Sequence, residues 1–269
     1  MLNRIFKRQN RLAITNELMK EVVNQNRVSL TEIKTWVDEE AFRKSYFNYG
    51  VPDQIRPLLN LDIGNEVTYS DLILYLSNQL AKVNYLELGV SVGKNFFQMA
   101  SGFSNASLTG FDVENMHPSI QNKFSFISNE NWEGKPDSIR KELFSLSKYI
   151  YQTNTISYIA GDIWDENCWS KLIGNKYSII FSDALHESEA LFWEYKMIEK
   201  YELLNDKFLF VWDDLNNGLE KSFKKIGASL KEKYLLADEN IRIIKINGWL
   251  GKNYPIKHDL GIITNLALK

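Results

Sequence analysis

The chain has a single cysteine among its 269 residues, Cys168, and no apolar stretch long enough to cross a bilayer. With no second cysteine an internal disulfide is excluded, which suits a reducing, cytoplasmic setting. Cys168 sits in the apolar-edged run Trp164 to Leu172, so it reads as a buried, inert thiol rather than a nucleophile. Charge of one sign is also scarce. Lys and Arg number 32 against 34 Asp and Glu, a formal net charge of −2. No global field therefore draws the chain to nucleic acid. Internal repeats and low-complexity segments are absent. The first residues, MLNRIFKRQNRLAI, are basic but have no continuous apolar core, so they do not read as a secretory signal. Ile5, Leu12 and Met19 recur seven apart, with Arg4, Lys7, Arg8 and Arg11 beside and between them, which predicts an amphipathic helix with a solvated basic face and no stable membrane insertion.

What is present reads as one globular unit with an appendage, since 44% of residues are apolar and 25% charged. Residues 1–80 carry helical signals. Ser29-Leu-Thr-Glu32 has the form of a capping box opening a helix through Phe42, and Thr68-Tyr-Ser-Asp71 that of another before Leu72 to Leu80. Gly50-Val-Pro-Asp53 is a turn, with Pro57 soon after. Over 81–269 the texture changes to short apolar runs alternating with helical patterns: Val83–Leu88, Ser107–Phe111, Ile156–Ala160, Tyr177–Ser182 and Lys207–Trp212. Such runs imply parallel strands covered on both faces. Ile241–Ile246 and Leu260–Thr264 follow with no room for a helix between them and should pair as an antiparallel hairpin. The expected fold is therefore α/β, a doubly wound seven-stranded sheet with a terminal hairpin. The long connection 113–155, with a helical stretch near Ser138–Tyr151, would be a lid or substrate wall. Together with the N-terminal helices it is expected to cover the ligand edge of the sheet.

Chemistry concentrates at the ends of the expected strands. Tyr85-Leu-Glu-Leu-Gly-Val-Ser-Val-Gly93 runs from a strand into a glycine turn and then a helix from Lys94. Gly89 and Gly93 would let the backbone turn tightly against a ligand, and the helix start would aim amides at it. Glu87 sharpens the pattern: a carboxylate there would repel a pyrophosphate but can pair with the amino-acid ammonium of S-adenosylmethionine. Asp112 ends the second strand, where a carboxylate meets ribose hydroxyls, with Glu114 a weaker candidate. Asp162 follows the third strand, placed for an adenine amino group.

On these residues the region 83–264 resembles class I S-adenosylmethionine-dependent methyltransferases, terminal strand reversal included. ELGVSVGKNF and FSDALHESEALFWEY are similar to the group of cephalosporin-hydroxylase-like proteins and macrolide-sugar O-methyltransferases, with catechol O-methyltransferase more distant. The E-x-G-x-x-x-G pattern is matched at Glu87, Gly89 and Gly93, with Ser91 where a glycine often stands. The resemblance implies S-adenosyl-L-methionine as cofactor, held by Glu87, Gly89, Ser91, Gly93, Asp112 and Asp162. It also implies a hydroxyl acceptor on a small molecule or sugar.

The fourth expected strand ends at Asp183 and the fifth at Asp213 and Asp214. If the strands are neighbours these acids meet, and an oxygen-lined cluster suits Mg²⁺. The resemblance points the same way, since metal-dependent O-methyltransferases carry acids at these strand ends. His186, three residues past Asp183, is matched by a histidine in the macrolide-sugar members and is the expected base, with His258 in reserve. Trp193, Met197 and Tyr201 follow helical spacing and should face the sheet, whereas Trp132 and Trp249 could stack on a sugar. A nicotinamide-dependent oxidoreductase would need G-x-G-x-x-G and no acid like Glu87. A binding module with a dead site is the other alternative, and a nucleic-acid methyltransferase is disfavoured by the charge balance. Association into a homo-oligomer is compatible with the sequence.

Overall fold

The computed structural model describes residues 17–35, 64–134, 143–216, 218–248 and 257–268. All seven expected apolar runs are strands. Asn84–Leu88 (β1), Ser107–Asp112 (β2), Asn154–Ala160 (β5), Tyr177–Ser182 (β6) and Leu204–Trp212 (β7) lie side by side in the order β5-β2-β1-β6-β7, all parallel. Ile241–Ile246 (β8) and His258–Thr264 (β9) form the expected antiparallel hairpin. β9 slots between β7 and β8.

Alternation along each strand divides the core in two. On β1, Tyr85 enters one apolar cluster with Phe96, Leu108 and Phe181, while Leu86 and Leu88 enter the other with Phe111, Trp169 and Trp212. Glu87 thus shares the face of Tyr85. The first face is covered by the helices Glu17–Thr35 (α1), Tyr69–Ser77 (α2) and Lys94–Gly102 (α3). The second lies under Glu166–Ser170 (α5), Ser188–Lys200 (α6) and Leu219–Tyr234 (α7). Met197 is fully buried there, and Trp193 and Tyr201 pack beside it, facing the sheet as their spacing predicts. Cys168 is buried in the same layer.

The seven-strand count needs correction, because among the described residues the sheet has nine strands. Ser125–Trp132 (β3) and Phe144–Tyr151 (β4) form an antiparallel hairpin that continues the sheet outward from β5. The helix expected near Ser138–Tyr151 is therefore a strand from Phe144 onward. Phe144 and Leu146 pack with one core cluster and Tyr149 and Tyr151 with the other, a period of two that suits aromatic and β-branched residues. Among the described residues, the helix within 113–155 is the single turn Pro118–Gln121 (α4), capped by His117. Because Trp132 pairs with Phe144, and Ser145 with Ala160, the end of β3 and the start of β4 lie at the ligand edge while the strands widen the sheet. Residues 135–142 of that connection lie outside the described residues.

In the N-terminal region the second capping box is real. Asp71 N donates to Thr68 Oγ1 at 3.3 Å, and Thr68 N donates to Asp71 Oδ2 at 2.8 Å. Ser29-Leu-Thr-Glu32 is not a helix start; it lies inside α1, which begins by Glu17. Burial overrides the local signal, since Met19, Val22, Val23, Asn26 and Leu30 form one buried stripe. Asn26 donates to Asp71 and Gln98 at 2.7 and 2.8 Å, and Arg27 clasps Asp71 at 2.9 and 3.1 Å. The helices α1 and α2 therefore share the core of the sheet. The basic segment before Glu17, the stretch 36–42, the turn 50–53, Pro57 and Trp249 lie outside the described residues. Among the described residues, no helix is long and apolar enough to cross a membrane.

Candidate active site

The turn after β1 has the geometry its glycines imply. Gly89 sits at φ +78°, and a Cβ there would overlap the Asp183 carbonyl oxygen and come within 2.5 Å of Ala184 Cα. Gly93, at φ +81°, caps α3, and its Cβ would strike Ile120. Ser91 between them has φ +53°, a left-handed conformation that costs a non-glycine residue about 1–3 kcal/mol. Its amide offsets this by donating to Asp112 Oδ2 at 2.7 Å. Among the described residues Ser91 Oγ is buried without a partner, an orphaned hydroxyl in the turn itself.

Glu87 is fully buried. Tyr85 Oη donates to its Oε2 at 2.5 Å and Asn95 Nδ2 at 2.9 Å, while Asn95 Oδ1 accepts from Ser70 Oγ at 2.8 Å. Burial raises the Glu87 pKa well above the carboxylate range, against the lowering effect of those two donors. An arriving cation would favour the ionised form. Asp112 and Asp162 stand at the ends of adjacent strands, as expected. Asp112 braces the turn, its second oxygen accepting from Glu114 N at 2.8 Å, so Glu114 contributes a backbone amide there. Each Asp112 oxygen keeps a further lone pair for a ligand. Asp162 Oδ1 accepts from Trp164 N at 2.9 Å.

Neighbouring β6 and β7 bring Asp183, Asp213 and Asp214 to one edge, but each side takes its own histidine. His186 Nε2 lies 3.1 Å from Asp183 Oδ1, with both side chains partly exposed. That hydrogen bond raises the His186 pKa, against its desolvation. His258 Nδ1 lies 2.8 and 2.9 Å from the Asp213 oxygens and 3.2 Å from Asp214 Oδ1. Although burial works against it, this double pairing pushes His258 up to about 10. Asp213 is raised to about 6, chiefly by burial. Asp214, desolvated but bonded to His258, is lowered overall. Asp213, Asp214 and His258 each offer a ligand atom, all within 4.8 Å of one another, so this donor set fits a divalent cation. Asp183 is outside that set.

Three contributors were not legible beforehand. Tyr69, at the start of α2, stacks on Phe181 at 5.3 Å and meets His258 edge-on at 5.4 Å. Lys94, buried at the start of α3, is lowered to about 7 by desolvation, with Asp183 acting the other way. Glu194 on α6 ties the two strand ends together, its Oε2 accepting from Ser182 Oγ at 2.6 Å and Trp212 Nε1 at 3.2 Å. Only the adjacent capping box and glycine turn could have drawn attention to Tyr69 and Lys94. Trp132 packs edge-on to Phe144 beneath Lys171, in the widened part of the sheet.

No family model matches the chain, and no match is found among curated proteins. Among solved structures, it is similar to an O-methyltransferase from Bacillus cereus in complex with S-adenosylhomocysteine. Identity is 11% over 96% of this chain and 94% of that one, with a TM-score of 0.47. It is likewise similar to an S-adenosylhomocysteine-bound methyltransferase of Podospora anserina, at 12% identity over 93% and 97%, with a TM-score of 0.43. At these identities the functional reading rests on the chain's own residues.

Proposed function

We propose that the chain is an S-adenosylmethionine-dependent O-methyltransferase acting on a hydroxyl of a small molecule or sugar. The observation that carries this reading is the turn after β1, where Glu87 is buried behind two left-handed glycines and Ser91 Oγ has no partner. A nicotinamide dinucleotide would set its pyrophosphate against that acid. In this reading the glycine turn and Glu87 receive the amino-acid end of the cofactor. Asp112 receives the ribose hydroxyls, and Asp162 the adenine amino group. The orphaned Ser91 hydroxyl, the cradle a Cβ would fill and the carboxylates at the ends of β2 and β5 all fit such a ligand.

The chemistry then needs an acceptor oxygen brought in line with the methyl group and relieved of its proton. His186 is the base: with Nε2 bonded to Asp183, Nδ1 carries the lone pair that takes the proton. Mg²⁺ would be held by Asp213 and Asp214 of the compact donor set, with Asp183 joining from the neighbouring strand only if its side chain turned toward them, and would acidify and orient the hydroxyl. Until such an ion binds, protonated His258 supplies the positive charge between Asp213 and Asp214. The acceptor is a small molecule rather than nucleic acid, in keeping with the balanced charge.

Calorimetry with S-adenosylhomocysteine and with NAD⁺ tests the cofactor half of the proposal, and binding of the first alone is expected. For the metal half, chelation should abolish methyl transfer to hydroxyl acceptors while leaving S-adenosylhomocysteine affinity intact, and Mg²⁺ should restore it. Full activity in excess EDTA would remove the metal and leave proximity and His186.

A further inference from the structure

The ligand edge carries one aromatic hydroxyl that the assignments above leave unused. Tyr69 follows the N-cap Thr68, and its amide donates to the Asn247 carbonyl at 3.0 Å. Thr68 also bridges to Asn247, so the start of α2 is tied to the end of β8. The Tyr69 ring lies against Phe181, interplanar angle 22°, and its other neighbour is His258. Phe181 stands opposite Glu87 on β1 and Val211 on β7. The phenol is thereby held at the middle of the edge, between the acid of the glycine turn and the two aspartate–histidine pairs. Burial is the main influence on its ionisation, and Asp213, Asp183, Glu87 and Asp214 all add to it in that order, so the group is a neutral phenol. The residue is only 5% exposed. Even so, the hydroxyl makes no hydrogen bond to any described residue.

A neutral phenol in this position has lone pairs to offer a cationic ligand, among carboxylates that favour the same charge. The sulfonium of S-adenosylmethionine carries a positive charge and polarises the hydrogens of its methyl group, whereas S-adenosylhomocysteine has neither charge nor methyl. Resting on the methyltransferase reading, we propose that Tyr69 recognises the charged methylsulfonium, its phenolic oxygen facing the transferable methyl group. It thereby separates the donor from its neutral product. The contact belongs to the weak C–H···O class, strengthened by the adjacent charge and by the surrounding carboxylates. Its loss should therefore be selective. A residue that merely packs would affect both ligands alike.

Tyr69→Phe keeps the ring on Phe181 and removes only the oxygen. Calorimetry of wild type and variant with S-adenosylmethionine and, separately, with S-adenosylhomocysteine, without any acceptor, reads the contact directly. The variant should bind S-adenosylmethionine about two- to fivefold more weakly and S-adenosylhomocysteine unchanged, with the unliganded melting temperature preserved. Equal weakening of both ligands, or no change in either, overturns the role of Tyr69 while leaving the methyltransferase reading standing. Failure of wild type to bind either ligand overturns both.

Discussion

Asp183–His186 and Asp213–His258 are the same chemical pair in two settings. His186 and Asp183 keep 45% and 34% of their side-chain surface, and the pair is 3.1 Å long. His258 and Asp213 keep 17% and 1%, and the contact shortens to 2.8 Å, with Asp214 closing the other side. Exposure leaves the first imidazole free to meet solvent and substrate, so its proton can be exchanged. Enclosure between two carboxylates favours the protonated form of the second, so His258 would ligate a metal only by giving up that proton. On the proposed reading, proton transfer falls to the exposed histidine after β6 and charge compensation to the enclosed one on β9, on the far side of β7.

The largest effect that could break this contrast is on turnover. His186→Ala should lower kcat by about 10²–10⁴, the range of general-base catalysis, with melting temperature and S-adenosylhomocysteine affinity little changed. Unchanged kcat would transfer the role of base to another group. Next in size is the stability of the buried pair. Asp213→Asn should destabilise the fold by about 3 kcal/mol in denaturant titrations, the low end for a broken buried pair because Asp214 still holds the ring. A loss confined to a few tenths would mean that His258 is not a fixed cation.

Glu194 sharpens the comparison from behind, because it binds Ser182 and Trp212, the residues directly before Asp183 and Asp213. Burial raises its pKa from 4.5 to about 7, opposed by those two donors. The native state therefore holds a proton that the unfolded state has released between those values. Stability should fall by about 3 kcal/mol as pH rises through that window. Glu194→Gln should flatten that slope in melting curves taken from pH 4.5 to 7.5. The smallest effect is expected at the exposed pair, where Asp183→Asn should cost less than about 1 kcal/mol of stability.

The strands that carry the site were legible because each is an apolar run ending in an acid or a glycine, and parallel order follows once helices separate them. The β3–β4 hairpin was not. Its strand Phe-Ser-Leu-Ser-Lys-Tyr-Ile-Tyr follows a charged stretch with helical spacing, and eight residues do not by themselves decide between periods. Glu87, Asp112, Asp162 and the aspartates of β6 and β7 fell where strand ends put them. The partners they take did not, since His258 reaches Asp213 from a strand 45 positions later and Tyr69 arrives from a separate helix. Such contacts depend on how the chain closes, which local pattern does not encode.

A crystal structure of the protein with S-adenosylhomocysteine tests the central claim most directly. The ribose hydroxyls should lie against Asp112, the adenine amino group near Asp162, and the amino-acid end in the turn between Gly89 and Gly93. Absence of binding at about 1 mM ligand, or a ligand seated away from the ends of β1 and β2, would contradict it.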